Sequence, residues 1–98
     1  MADALTERYK SGVQQLLNKP PVDENDIERW RAEEAAWTRD VLKLMKEHGC
    51  TPQDLNHVET IGLFPLLLLH PNETVCRDLS MFAVRLSRVA DISTKYAG

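Results

Sequence analysis

Apolar residues recur with the period of an α-helix along most of this chain. In the first segment the apolar positions are separated by 4, 4, 3 and 1 residues, so they share one face of a helix. The residues of this face are Leu5, Tyr9, Val13, Leu16 and Leu17. The spacing predicts a helix over 3–18, which ends before Pro20 because the residue that precedes a proline avoids the helical conformation.

The next segment has the clearest helical pattern, and it predicts a helix over 23–48. A seam of positions three and four residues apart comprises Ile27, Trp30, Glu34, Trp37, Val41, Leu44 and His48. Two pairs, Asp23 with Asp26 and Asn25 with Glu28, have the spacing of a helix-capping arrangement, and Gly49 is a typical residue to follow the last turn. Two members of the seam are polar, so this face is not purely a core face.

Two shorter patterns follow. The tetrapeptide Thr-Pro-Gln-Asp at 51–54 combines a capping residue, a proline in the first turn and an acid, and it predicts a helix over 52–60. The proline and leucines of LFPLLLLH predict a short helix over 65–70. Four consecutive leucines cover most of a helix circumference, and a helix that is apolar all round is normally buried. We therefore expect 66–69 to be the central segment of the core.

The last pattern begins after Asn72 and predicts a helix over 72–94. Its apolar positions recur at intervals of four and three residues: Val75, Leu79, Phe82, Leu86 and Val89. Three arginines lie off this seam and are expected in solvent: Arg77, Arg85 and Arg88. Residues 93–98 are expected to fray, as chain ends usually do.

The sequence contains no strand signal. No stretch alternates with period two, and neither Asn-Gly nor Asp-Gly occurs. A chain of 98 residues is long enough to bury one core. We therefore predict a single all-α domain over 1–98, a compact bundle of about four main helices and one short helix.

The overall charge limits the classes of partner. The chain has 15 acidic and 12 basic side chains, which give a net charge of −3 at pH 7. A general nucleic-acid-binding protein needs a basic surface that neutralises phosphates, so we expect no direct nucleic-acid binding. The apolar run at 61–69 is too short to span a membrane and is interrupted by Pro65, so we expect no membrane partner.

The cysteines and the first residues indicate a compartment. The opening MADALTERYK lacks the apolar stretch of a secretion signal. We therefore expect an intracellular, cytoplasmic protein in which Cys50 and Cys76 are reduced thiols.

One part of the chain, residues 62–90, resembles a single unit of an armadillo or HEAT-type helical repeat. The matching features are Gly62, Pro65, the leucines at 66–69, the polar break at 70–72 and the seam from Val75 to Val89. The resemblance implies a helical protein-binding scaffold and supplies no catalytic residue. Residues 1–60 contain no second copy, so a full solenoid is not predicted.

Five side chains have the chemistry of zinc ligands: His48, Cys50, His57, His70 and Cys76. Their spacing matches no standard zinc motif. Alternatively, His48 and His70 lie at helix ends and the cysteines fill small spaces in the core. We predict neither a metal site nor a cofactor.

Glu34 lies between Trp30 and Trp37 on one helix face. Burial there would raise its pKa, as a general acid requires. In two alternative arrangements the carboxylate stays in water at the edge of the core, or it pairs with an arginine from another helix. The sequence shows no nucleophile–base pair and no glycine-rich phosphate loop, so we predict no enzyme activity.

Tryptophan is enriched at binding hot spots, so Trp30, Glu34 and Trp37, together with Leu63 and Phe64, form the predicted partner-binding surface. Alternatively, the two tryptophans are core anchors. The leading prediction is a small non-enzymatic interaction protein that acts through a helical face or as a homodimer.

Two other functions stay open. The first is an acidic inhibitor or immunity-type protein that blocks an enzyme or a nucleic-acid-binding protein through residues 23–34, which hold six acids and two bases. The second is a metal- or thiol-based sensor that uses Cys50 and Cys76.

Overall fold

Two 24-residue helices set the long dimension of the fold. The computed structural model describes residues 2–66 and 70–97. The helices are α1 (Ala2–Gly12), continued by a π-helical segment (Val13–Leu17), then α2 (Glu24–Glu47), α3 (Pro52–Glu59) and α4 (Glu73–Tyr96). A 24-residue helix is about 36 Å long, close to the largest extent of 40 Å. No strand occurs among the described residues, and the predicted all-α bundle is confirmed.

The helices begin and end at residues suited to those positions. The Asp23 side chain accepts a hydrogen bond from a backbone N–H in the first turn of α2, and Asn72 does the same for α4. Thr51 and Asp54 form a reciprocal capping box at the start of α3. Gly49 has a φ of +77°, the left-handed conformation that ends α2. Side-chain hydrogen bonds therefore fix where these three helices start, and the backbone conformation of Gly49 fixes where α2 ends.

The two tryptophans of α2 belong to the core. Trp30 and Trp37 are 4% and 7% exposed, and both rings contact Phe82 of α4. The ring centroids are 5.8 Å and 5.1 Å from that of Phe82, and the rings meet edge to face. This geometry suits the charge distribution of aromatic rings. Trp30 and Trp37 therefore anchor α2 on α4.

The same tryptophans bind the backbone of the N-terminal helix. Nε1 of Trp30 donates to the carbonyl oxygen of Leu16 at 3.0 Å, and Nε1 of Trp37 donates to that of Arg8 at 2.9 Å. A buried indole N–H needs such an acceptor. Two indole groups thus connect α2 to α1 and to the π-helical segment, as well as to α4.

Four expectations for the second half of the chain differ from the structure. Residues 65, 66 and 70 are not helical, and Leu66 is 57% exposed, so its prediction as a core residue is wrong. The rest of that predicted core segment, 67–69, lies outside the described residues. Arg85 is buried rather than solvated, and α4 continues to Tyr96 instead of fraying from residue 93.

Gly12, the last residue of α1, lies against side chains of both α2 and α4. A Cβ atom there would lie 3.0 Å from Leu86 Cδ2 and 3.0 Å from Trp37 Cζ2. We expect Gly12→Ala to lower the free energy of unfolding by about 1 kcal/mol or more, because overpacking outweighs the gain in helix propensity. Urea denaturation measures the change.

The matched control is Gly62→Ala. A Cβ atom at Gly62 meets no atom within 4 Å. This variant should stay within about 0.5 kcal/mol of the parent protein. Equal stability of the Gly12→Ala and Gly62→Ala proteins would contradict the close approach at α1.

Candidate functional site

A buried ion pair joins α2 to α4. Glu34 and Arg85 are each 8% exposed, and Nη1 of Arg85 donates to Oε1 of Glu34. The hydroxyl of Thr38 donates to the same carboxylate oxygen at 3.0 Å. Of the arrangements expected for Glu34, the structure has the one in which an arginine from another helix pairs with it. Glu34 therefore connects two helices.

Arg85 also binds the end of α3. Its Nε donates to the carbonyl oxygen of Val58 and its Nη2 to that of Glu59, both at 3.0 Å. Carbonyl groups in the last turn of a helix lack partners within the helix. Nη1 of Arg88 donates to two more carbonyl oxygens at this end, at 3.0 and 2.8 Å. Two arginines of α4 thus cap α3 and fix where the connection to α4 begins.

Replacing Glu34 tests the ion pair. Glu34→Leu leaves the Arg85 guanidinium buried without its carboxylate, and breaking a buried pair in this way typically costs about 3–5 kcal/mol. We expect a loss of that size in the free energy of unfolding, measured by urea denaturation. The neighbouring Glu33→Leu is the control, because Glu33 is exposed; its change should stay within about 0.5 kcal/mol.

A double-mutant cycle separates the pair from general packing. Combining Glu34→Leu with Arg85→Leu removes both charges, so the double variant should lose less stability than the sum of the two single changes. We expect a coupling of at least about 1 kcal/mol. Additive effects would show that the pair contributes no interaction of its own.

A second polar cluster fastens the end of α4 to the start of α3. Asp54 is 5% exposed. Its Oδ1 accepts a hydrogen bond from Lys95 Nζ at 2.7 Å, and its Oδ2 accepts one from the Tyr96 hydroxyl at 2.5 Å. The backbone N–H of Thr51 also donates to Oδ2, at 3.3 Å. We call Asp54, Lys95 and Tyr96 the C-terminal clasp.

The contacts within the C-terminal clasp lower the pKa of Asp54 and raise the pKa of Tyr96. Hydrogen bonds from Lys95 and Tyr96 hold the pKa of Asp54 well below its usual range. The stability that the Asp54 carboxylate contributes is therefore complete above its unfolded-state pKa of about 3.9 and is lost as the pH falls below that value. The hydrogen bond to Asp54, aided by burial, raises the pKa of Tyr96 to about 12.

Tyrosine absorbance tests the C-terminal clasp. The sequence has two tyrosines, so Tyr9→Phe leaves Tyr96 as the only one. We expect its phenolate absorbance to appear with a midpoint near pH 12 in the folded protein. Since an unfolded tyrosine has a pKa of about 10, the contribution of Tyr96 is complete below pH 10 and is lost as the pH rises through 12.

Circular dichroism on the same samples shows whether the protein stays folded during the titration. In urea the midpoint should return to about 10. Asp54→Asn removes the carboxylate charge and should lower the midpoint in the folded protein. A midpoint near 10 in a protein that is still helical would rule out the hydrogen bond between Tyr96 and Asp54.

The candidate zinc ligands do not come together in the described parts of the chain. Residues 2–66 and 70–97 contain no group of three histidine, cysteine or acidic side chains placed to hold a metal ion. Cys50 and Cys76 are buried and are not joined in a disulfide. Burial raises the pKa of the Cys50 thiol, which makes it less reactive at neutral pH. His57 Nε2 instead lies 3.4 Å from Asp91 Oδ2 on the surface.

The acidic segment 23–34 uses several of its charges within the fold. Asp23 caps α2, Glu34 pairs with Arg85, and Asp26 Oδ1 lies 3.7 Å from an arginine of the next turn. The acids that remain exposed without such a role are Glu24, Glu28 and Glu33. The surface offered to a basic partner is therefore smaller than the sequence indicates.

A groove of about 630 Å³ lies between the N-terminal helix and α2. Its charged lining residues are three bases and three acids: Arg8, Lys19, Arg29, Asp26, Glu33 and Asp40. The edges of Trp30 and Trp37 also reach it. Neither sign of charge dominates, so the lining does not favour an acidic or a basic ligand.

The exposed apolar residues of the predicted partner-binding surface lie in the connection from α3 to α4. Leu63 is fully exposed, Leu66 is 57% exposed, and Ile61 and Phe64 are partly exposed. We call residues 61–66 the apolar segment. Trp30, Glu34 and Trp37, the other residues predicted for partner binding, are buried between helices. The structure therefore does not bring the five predicted residues onto one surface.

None of the described helices has both the length and the apolar character of a membrane-spanning helix. Comparison of the chain with protein-family models, curated proteins and solved structures gives no significant match.

Sequence reasoning missed Arg85 and the C-terminal clasp. Glu34, an acid on the apolar seam of α2, indicates that a basic partner is needed. The sequence does not indicate which arginine is that partner. Lys95 and Tyr96 carry no such signal, because they lie in a polar stretch at the end of the chain. Asp54 was recognisable only for its role in capping α3.

Proposed function

We propose that this chain is a small, non-enzymatic protein-interaction protein whose contact surface is the apolar segment. The observation that carries the proposal is the exposure of Leu63 and Leu66, with the partly exposed Phe64 between them. Single exposed apolar residues are common on protein surfaces, whereas a group of them is typical of an interaction site. The apolar residues of the helix seams, in contrast, lie in the core or pack against it.

The connection is anchored at both ends. On one side, Arg88 donates to the carbonyl oxygen of Thr60 at 2.8 Å. On the other side, His70 Nδ1 accepts a hydrogen bond from the backbone N–H of Asn72 at 3.0 Å, and Asn72 caps α4. A surface segment whose ends are fixed loses less conformational entropy on binding. The anchoring therefore suits a role in recognition.

The buried charged groups support a non-enzymatic role. Glu34, Asp54 and Arg85 each direct their hydrogen bonds to other parts of the fold. These interactions join helices, and each buried charge is paired with an opposite charge inside the protein. Cys50 and Cys76, which form no disulfide, suit a reducing compartment such as the cytoplasm.

The resemblance of residues 62–90 to one armadillo or HEAT-type unit is in keeping with a protein-binding role. The second helix of that unit corresponds to α4. The first would cover 65–69, of which 65 and 66 are not helical and 67–69 lie outside the described residues. The proposal therefore depends on the apolar segment and not on the repeat resemblance.

Affinity capture tests the proposal. The baits are the parent protein and Leu63→Asp, each exposed to a lysate of the source organism, with mass spectrometry of what is retained. We expect the parent to retain a protein partner, either a different protein or native copies of this chain, and we expect at least about a tenfold loss with Leu63→Asp, since an exposed anchor residue is replaced by a charge.

The matched control is Val22→Asp. Val22 is 78% exposed and lies outside the apolar segment, in the turn before α2. It should retain the partner as the parent does, and both variants should keep the parent's unfolding midpoint in urea. Equal retention by all three baits would refute a role for the apolar segment.

A further inference from the structure

The connection between α3 and α4, which contains the apolar segment, has a charge pattern suited to contact with a second copy of the same surface. From residue 60 to residue 72 the sequence contains no aspartate, glutamate, lysine or arginine. In a two-fold symmetric dimer each copy contributes the same surface. A charged residue near the two-fold axis therefore lies close to the same residue of the other copy, and the two repel each other. The described positions of this stretch, 60–66 and 70–72, therefore bring no such repulsion to a contact.

The residues next to this uncharged stretch carry both signs of charge. Glu59 precedes it, and Glu73, whose side chain is 86% exposed, follows it. Arg88 binds the carbonyl oxygen of Thr60, and Nη2 of Arg77 lies 3.9 Å from Oε1 of Glu73. A rim with both signs lets a two-fold rotation place an acid of one copy opposite a base of the other.

A lipid surface suits the same residues less well. Segments that bind membrane surfaces combine apolar side chains with flanking lysines and arginines that attract anionic head groups. Here the immediate neighbours of the uncharged stretch in the sequence are Glu59 and Glu73, and the net charge of the chain is −3. Repulsion would therefore oppose binding of the apolar segment to an anionic bilayer.

We infer that the apolar segment is the centre of a symmetric homodimer contact, in which a second copy of this chain covers Leu63 and Leu66. This inference rests on the proposed function and specifies its partner. A contact centred on a few side chains belongs to the small class of interfaces, which is weak and transient. We expect a dissociation constant of about 1 μM or weaker.

Sedimentation equilibrium tests the dimer. The purified full chain is measured from about 1 μM to about 500 μM, a range that spans the expected dissociation constant. The average mass should rise from that of the 11.2 kDa monomer towards twice that value. Leu63→Asp should raise the dissociation constant at least about tenfold, because it places two like charges near the two-fold axis.

Val22→Asp adds the same charge to an exposed apolar residue elsewhere, and it should dimerise like the parent protein. The inference is overturned if the parent protein stays monomeric over the whole range. It is also overturned if Val22→Asp weakens the dimer as much as Leu63→Asp does. Circular dichroism on each variant confirms that the comparison is made between folded proteins.

The other possible occupants give distinct results. If the protein is monomeric but capture from lysate yields a different protein that Leu63→Asp loses, the homodimer fails and the proposed function survives. If the monomer instead cosediments with vesicles of anionic phospholipid in a way that depends on Leu63, both proposals fail. A concentration-dependent dimer that is lost only with Leu63→Asp, without vesicle binding, supports both.

Discussion

The architecture depends on the Arg85 guanidinium, which is buried where α2, α3 and α4 meet. One side chain binds a carboxylate on α2 and two carbonyl groups at the end of α3 while it is itself part of α4. No apolar residue could replace these contacts, because the carbonyl oxygen of Val58 would then be buried without this donor. The relative positions of three helices therefore follow from the hydrogen-bonding geometry of one planar cation.

The short helix α3 shows how polar contacts compensate for a small apolar contribution. Of its eight residues only Val58 and Asp54 are buried. A helix of this length is not stable in isolation. It is held at its start by the C-terminal clasp and at its end by Arg85 and Arg88, so each end is fastened to a different part of α4. These two attachments fix the position of α3 and therefore the point at which the apolar segment begins.

The fold class and the helix seams were predictable because they depend on local periodicity. The aromatic positions Trp30, Trp37 and Phe82 all lie on those seams, and all are buried. The expectation failed for Arg85 because pattern reading assigns a charged residue to solvent unless a partner is known, and the partner is 51 positions away. It failed for Leu66 because consecutive leucines indicate burial without indicating how the chain turns between two helices.

The position of α4 in the chain has a consequence during synthesis. It contacts α1, the π-helical segment and α3, and it supplies the ring against which both tryptophans pack. Before α4 leaves the ribosome, α2 has no aromatic partner and Glu34 has no cation. The chain therefore cannot complete its core before α4 has emerged, and until then the part of α2 that packs against α4 stays open to chaperones.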